Sequence, residues 1–207
     1  MKTNKEQAAQ NRERILDVAA QLFRERGFDG IGVADLMRSA GLTHGGFYGH
    51  FASKDDLIAQ SSTRTLQKSL EKWRRIDGEG PQGRLAAIIH SYLSPRHRDH
   101  PGHGCALTAL GGDMARQSPA MRQGVTQGLQ ALVDELLPLV DGNSAQEKQQ
   151  GAWAIMAGMV GGIVLARLVD DPALAQTILQ HVEQALVPDG RHQTGLAPEL
   201  PASRKPV

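Results

Sequence analysis

Two stretches carry residues whose types and spacing can do chemistry: GLTHGGFYGHFASKDDL (41–57) and PRHRDHPGHGC (95–105). In the first, Gly45 and Gly46 fall inside a segment only two helical turns long. Each glycine costs a helix roughly 1 kcal/mol relative to alanine. A short helix that keeps both has a reason to do so. One reason is close backbone approach to another surface, and the other is packing at a tight αα corner. Phe47 and Phe51, four apart, can anchor one side in a core. His44, Tyr48 and His50 then share the other side with the glycines. Small, hydrogen-bonding and aromatic residues suit a DNA major groove, with the tyrosine hydroxyl reaching a phosphate oxygen. Lys54 adds a charge for a phosphate. Spacing alone leaves the groove and corner readings both open.

The second stretch spaces His97, His100, His103 and Cys105 as H-x2-H-x2-H-x-C. Three readings compete. It is a polar loop leading into a helix that Cys105 opens as a small buried residue. Or it is a redox or electrophile sensor, with a thiolate favoured near a helix N-terminus. Or it binds a transition metal, although its Pro and Gly leave the ligand geometry undefined. The first reading is the expectation, with no metal and no cofactor assigned. Nucleophile-elbow, Walker-type, H-E-x-x-H and dinucleotide signatures are missing, so no catalytic residue is named and no enzyme is expected. A small all-α enzyme using segment 97–105 is the alternative from another class, and a purely structural helical module is a third.

The elements that must position these residues read as helices. The chain has 207 residues, a single Cys and 4% aromatic residues. One Cys excludes a disulfide framework. No apolar run is expected to reach the roughly 18–20 residues that span a membrane. The polar N-terminus lacks the apolar core of a signal peptide. A soluble, cytoplasmic protein is the expectation. Residues 1–75 carry 13 Lys+Arg against 9 Asp+Glu, and residues 76–207 carry 10 against 13. A basic front on a mildly acidic body hints at a polyanion partner.

Helical periodicity predicts a first helix at 5–26, capped by Asn4 and stopped by Gly27, with Ile15, Ala19, Leu22 and Phe23 as its apolar stripe. Short helices follow at about 33–40 and 44–50 around the Gly41 turn, a helix-turn-helix candidate. Ser53 caps a fourth helix reaching about Arg75. DGEGPQG (77–83) is the best compositional boundary. Further helices are expected at about 83–94, 105–117, 119–140, 145–169 and 172–187, with a loop over 95–104. Residues 151–169 are apolar or small almost all round, as in a helix buried on every side. His90, Met114, Met121, Met156, Met159 and Trp153 are expected to be packed. The four-proline tail from Pro188 is expected to be disordered.

Residues 11–57 resemble the DNA-binding domain of the tetracycline-repressor (TetR) family of bacterial regulators. The resemblance rests on Ile15-Leu16, Ala19-Ala20, Leu22-Phe23, Gly27-Phe28, Val33-Ala34-Asp35-Leu36 and Ala40-Gly41-Leu42-Thr43. Its strongest part is Gly45-Gly46-Phe47-Tyr48, His50-Phe51, Ser53-Lys54 and Leu57, a GGFYxHF-type variant. The resemblance implies an all-α fold of about nine helices. Residues 5–56 would be the three-helix DNA-binding domain, 57–187 an effector-binding and dimerisation domain, and 188–207 a tail.

It further implies a cytoplasmic, nucleoid-associated homodimer on a pseudo-palindromic operator, acting as a repressor released by a small apolar or amphipathic effector. DNA contacts would come from Gly32, Thr43, His44, Gly45, Gly46, Tyr48, His50 and Lys54, with Arg12 and Arg38 as candidate additions. Gly32 stands where the family usually has Ser or Thr. Ligand lining or sensing would fall to Cys105, Tyr92, Met114, Met121, Trp153 and Met156. Some relatives carry Gly-Cys at a similar place, which keeps a thiol-based redox or electrophile sensor as an alternative. Dimerisation would use Gly158, Gly161, Gly162, Leu165, Ile178, Leu179 and Val182.

Overall fold

Gly27 and Gly41 set the turns between the first helices. Both adopt left-handed backbone, with φ of 75° and 69°, which glycine reaches without a Cβ penalty. The computed structural model describes residues 2–187, and side chains from Lys5 onward. The expected tail lies outside the described residues. Helix α1 (Lys2–Arg26) starts earlier than expected and runs through Asn4, so Asn4 is not its cap. Its stripe of Ile15, Leu16, Ala19 and Phe23 is buried. Phe28 folds back past Gly27 onto the Phe23 ring, edge to face at 5.5 Å.

Helix α2 (Val33–Ser39) follows Gly32, whose extended backbone forms the cap without a side chain. Residues His44–Gly49 then form a 3-10 helix rather than an α-helix. Three glycines in six residues weaken α-helical preference, and short 3-10 runs are the usual outcome. Helix α3 (Lys54–Arg74) opens with a reciprocal cap. The Asp56 N–H donates to Ser53 Oγ at 3.0 Å, and the Ala52 N–H donates to the Asp56 carboxylate at 3.1 Å. This arrangement satisfies donors that a helix start leaves free.

Helix α3 belongs to both halves of the molecule. It packs against α1 and against α7 (Pro119–Leu136). Arg64 and Lys68 hold Asp17 of α1 at 2.9 and 2.7 Å. DGEGPQG is a turn between α3 and the next helix, and α3 on its N-terminal side packs against both halves. Gly80 adopts φ 71° there and starts α4 (Gly80–Tyr92) ahead of the expected position. From α4, the Arg84 guanidinium donates to the carbonyls of Ile76 and Trp73 and to Glu135 of α7 at 2.6 Å.

The expected loop over 95–104 is ordered. It forms α5 (Pro95–Asp99), capped by Ser94, and a 3-10 turn, Pro101–His103. Helices α6 (Ala106–Ala115), α8 (Ala145–Leu168) and α9 (Pro172–Leu186) complete the bundle. Pro138 sits in a 3-10 turn that ends α7. The described residues hold nine α-helices and no strand, an all-α fold.

Helix α8 corrects two expectations. Its 24 residues contain an 18-residue window of mean hydropathy 1.6, long and apolar enough by length and composition to cross a membrane. It packs against α5, α6, α7 and α9 through Ala152, Ile155, Met156, Met159, Gly162, Ile163 and Ala166. Its other face is open, so it is not buried on every side. Leu165 and Leu168 are 53% and 74% exposed, and Trp153 lies outside the core. His90 is also exposed and meets Glu183 of α9 at 2.8 Å.

Glu135 ties three helices, accepting from Arg84 of α4 and from Arg74 of α3 at 3.0 Å. Burial works to raise its pKa, but hydrogen bonds from Arg84 and Arg74 hold it below the ordinary value. Its contribution is therefore present above the unfolded-state pKa and fades as pH falls through the lower folded-state value. Glu135→Gln should lower stability at pH 7 by about 1–2 kcal/mol, the scale of a charged hydrogen bond. Chemical denaturation of both proteins at several pH values checks this. The difference from wild type should be constant near neutrality and shrink in the acid range below pH 4.5, the group's ordinary value.

Candidate nucleic-acid interface

Phe47 and Phe51 hold the 3-10 segment to the core. Both are buried, with ring centroids 5.8 Å apart. Tyr48 stacks edge-on against Phe47 at 5.2 Å yet stays 70% exposed. Thr43, His44, Gly45, Gly46 and Gly49 are also exposed, and His50 is half-buried at the end of the segment.

The glycines decide between the two packing readings. A Cβ added at Gly45 or Gly49 would meet nothing within 4 Å. At Gly46 it would come no nearer than 3.7 Å, to the Met37 terminal methyl. None of the three is needed for internal packing, so the tight-corner explanation fails. Their common effect is an outer surface that lies close to the backbone. Gly49 is a residue that sequence reasoning missed. The signal was present, since Gly45 and Gly49 stand four apart in HGGFYG.

Around this surface stand the other expected contacts. Gly32 is exposed at the start of α2, where backbone N–H groups are free for an anion. Thr43 sits at the cap position without a side-chain cap bond. Lys54 is the first residue of α3 and half-buried. Arg38 is exposed and paired with Asp35 at 2.9 Å. Arg12 is turned inward, bonded to Gln60 with its guanidinium 5.1 Å from the Phe51 ring centre. It braces the segment and is not presented outward.

The expected dimer residues divide. On α8, Trp153, Ala157, Gly161, Leu165 and Leu168 recur every three or four residues along one open face. A Cβ at Gly161 would meet nothing within 4 Å. On α9, Leu174 is exposed and Ile178 half-buried. The remaining residues work within the chain. A Cβ at Gly158 would lie 2.9 Å from Leu186, and one at Gly162 3.0 Å from Leu93 and 3.1 Å from Val182. Leu179 is fully buried. Gly158, Gly162, Leu179 and Val182 therefore let α8 and α9 close on their own protomer.

The expected ligand residues Tyr92, Cys105, Met114, Met121 and Met156 all lie in the core, whereas Trp153 faces outward. Tyr92 is boxed edge-on by His97 at 4.6 Å and Trp73 at 6.0 Å. His97 bridges the chain: its Nδ1–H donates to the Tyr92 carbonyl at 2.7 Å, and its Nε2 accepts the Cys105 N–H at 2.9 Å. Burial pushes its pKa down to about 4, so the neutral ring acts as a structural strut. His100 and His103 are exposed. No group of three or more His, Cys, Asp or Glu side chains is placed for a metal ion among the described residues.

Cys105 is buried at the cap of α6. Burial, with the Cys105 thiol as neighbour, raises the Tyr92 phenol well above its ordinary value. Sequence reasoning missed Arg24 and Arg167, which converge here from α1 and α8 and leave no mark in sequence spacing. A shallow hollow of about 500 Å³ on α3, lined by Lys68, Glu71, Lys72, Arg75 and Ile76, shares no residue with this cluster.

Comparison with known proteins agrees with this layout. A family model described as bacterial regulatory proteins, tetR family, matches residues 15–60, and one for a tetracyclin repressor-like C-terminal domain matches residues 81–182. The chain is 36% identical over 90 residues to the HTH-type transcriptional regulator AcrR of Shigella flexneri, covering 42% of each protein. It thus spans about two fifths of that relative's length. It is 23% identical over 193 residues to the HTH-type transcriptional repressor NemR of Escherichia coli, covering 88% of this chain and 97% of NemR. The crystal structure of reduced E. coli NemR superimposes with a TM-score of 0.71 over 84% of this chain and 96% of that one, at 23% identity.

Gly45→Ala and Gly49→Ala should fold normally, with equal or slightly higher melting temperature, because each Cβ enters open space and alanine lowers the conformational entropy of the unfolded chain. Their affinity for a duplex selected by the wild-type protein from a random library should fall about tenfold or more, a loss of about 1.4 kcal/mol per decade. Thermal melts and gel-shift titrations measure the two effects separately.

Proposed function

Because this chain belongs to the TetR family of bacterial regulatory proteins, we propose that it is a dimeric transcriptional repressor that leaves its operator when a small molecule binds. The observation that carries the reading is the open glycine face of residues 44–49 beside the exposed Tyr48. Backbone that lies close to a groove wall can donate to phosphates, and Thr43 and His44 can reach base edges. Gly32, Tyr48, His50 and Lys54 hold phosphate oxygens on either side. The protein works by binding and not by catalysis, in the cytoplasm and on the nucleoid.

So small a reading head demands a pair. Each good bidentate base contact contributes only about 1–3 kcal/mol of discrimination. Two heads on a pseudo-palindromic operator double that and fix the half-site spacing. The open apolar face of α8, with Leu174 and Ile178 of α9, supports a second copy as its cover. Closure of two such faces would make a four-helix interface. The effector domain then acts as a switch. A ligand shifts the balance between operator-competent and incompetent dimers only by its differential affinity for the two.

A second reading, in which Cys105 itself is the sensor, draws on one observation: the thiol sits at the cap of α6 among Tyr92, Arg24 and Arg167. Cys105→Ser decides between them. If a small molecule is the signal, the variant releases DNA with effector as wild type does. Loss of release by an oxidant and an alkylator in that variant alone would make the thiol the sensor.

Leu165→Glu combined with Leu168→Glu should convert the dimer to monomer while leaving helicity intact. Sedimentation and circular dichroism read these. Operator affinity should fall by at least a hundredfold, and wild-type binding should weaken steeply with salt because several phosphates are neutralised per dimer. A double variant that stays dimeric removes α8 from the interface. A wild-type chain that selects no duplex from a random library removes the DNA-binding reading.

A further inference from the structure

The junction between segment 44–49 and α3 must hold Phe51 in the core and bring Lys54 to the surface three residues later. A closed circuit of side chains grips it. The Ala52 N–H donates to Asp56 Oδ2 at 3.1 Å. The other oxygen of that carboxylate, Oδ1, accepts from Gln60 Nε2 at 2.7 Å. Gln60 Oε1 in turn accepts from Arg12 Nη2 of α1. The same guanidinium lies 5.1 Å from the centre of the Phe51 ring, so the circuit returns to the residue next to Ala52.

Each member has the chemistry its place demands. A guanidinium only donates and a carboxylate only accepts, so the group between them must do both, and a glutamine amide does. Asp56 and Gln60 stand four apart, on one face of α3. Arg12 makes no ion pair among the described residues. It is also not needed to hold α1 to α3. Arg64 does that through Glu13 and Asp17, and Lys68 through Asp17. A planar guanidinium suits a ring face and a fixed hydrogen bond together. Arg12 and Gln60 line a shallow groove of about 380 Å³ between α1 and α3 that shares no residue with the open glycine face.

We infer that Arg12 and Gln60 are positioning residues for DNA recognition, which fix segment 44–49 through the Asp56 carboxylate and the Phe51 ring and touch no DNA themselves. The inference rests on the DNA-binding reading above and deepens it. Phosphate contacts tolerate a small change in the angle of the segment, because they depend on charge. Base contacts do not, because they depend on register. Loosening the circuit therefore removes discrimination between sequences and leaves non-specific binding in place. A phosphate contact by Arg12 would do the opposite and weaken binding to every duplex alike.

The test uses the full-length chain, its selected duplex and a scrambled duplex of equal length, titrated over a range of salt. Gln60→Leu and Arg12→Met should each bind the selected duplex about tenfold more weakly, the scale of one lost base contact. Binding to the scrambled duplex and the salt slope should stay as in wild type, and the double variant should lose no more than the worse single one. Gln60→Glu nearly preserves shape and keeps the bond from Arg12, but it cannot donate to Asp56. It should fold as wild type by circular dichroism and lose discrimination as Gln60→Leu does. Hydrogen exchange at the Ala52 amide should quicken in both Gln60 variants without DNA. If Arg12→Met loses both duplexes alike and its salt slope falls by about 0.9, Arg12 is a phosphate contact and the inference is overturned. Wild-type discrimination in Gln60→Glu, or additive losses in the double variant, overturns it as well. Those outcomes leave the DNA-binding reading standing. A wild-type chain that prefers no duplex removes that reading and this inference with it.

Discussion

Everything outward in the DNA-binding head depends on two phenylalanines turned inward. Phe47 and Phe51 leave water completely, each contributing about 1.5–3 kcal/mol of burial. That anchorage lets the intervening backbone give up what normally stabilises a helix. Residues 44–49 have six positions, three glycines and a 3-10 geometry. Alone they would not hold a shape. Clamped by the two rings, braced by Arg12 behind Phe51 and followed by the Ser53–Asp56 cap, they present backbone where other helices present side chains.

A head so sparing in side chains hands other tasks to the rest of the chain. Few base contacts imply a requirement for two heads, and α8 has two opposite faces of different character. One face carries glycines into which Leu93, Val182 and Leu186 fit, and the other shows Trp153, Leu165 and Leu168 to solvent. Helix α3 spans both halves and is held to α1 by Arg64 and Lys68 on Asp17 and to α7 by Arg74 on Glu135. The head is therefore not a bead on a string. Helix α3 and the bond from Arg24 of α1 to the Gly102 carbonyl both join the two halves.

The helices and their stops were legible because glycine, proline and cap residues act locally. Gly27, Gly41 and Ser53 do in the structure what their residue types demand. Boundaries drawn from composition alone were weaker. DGEGPQG looks like a linker, yet Arg84 reaches back across it to Trp73 and Ile76. Segment 95–104 looks like a loop, yet His97, Arg24 and Arg167 order it through bonds to groups far away in sequence. Asn4 looks like a cap, and the helix passes through it.

From sequence alone came the all-helical class, the turn glycines, the paired phenylalanine anchors and the family likeness of residues 11–57. Each follows from periodicity or from a residue's own backbone preference, and so needs no knowledge of distant neighbours. Tertiary structure alone decided that Gly45 and Gly49 face open space while Gly158 and Gly162 are filled by neighbouring side chains. It alone turned Trp153 outward and gathered Tyr92, Arg24 and Arg167 around Cys105. A glycine's type is the same in every case, and what would touch its missing side chain is settled only when distant helices pack.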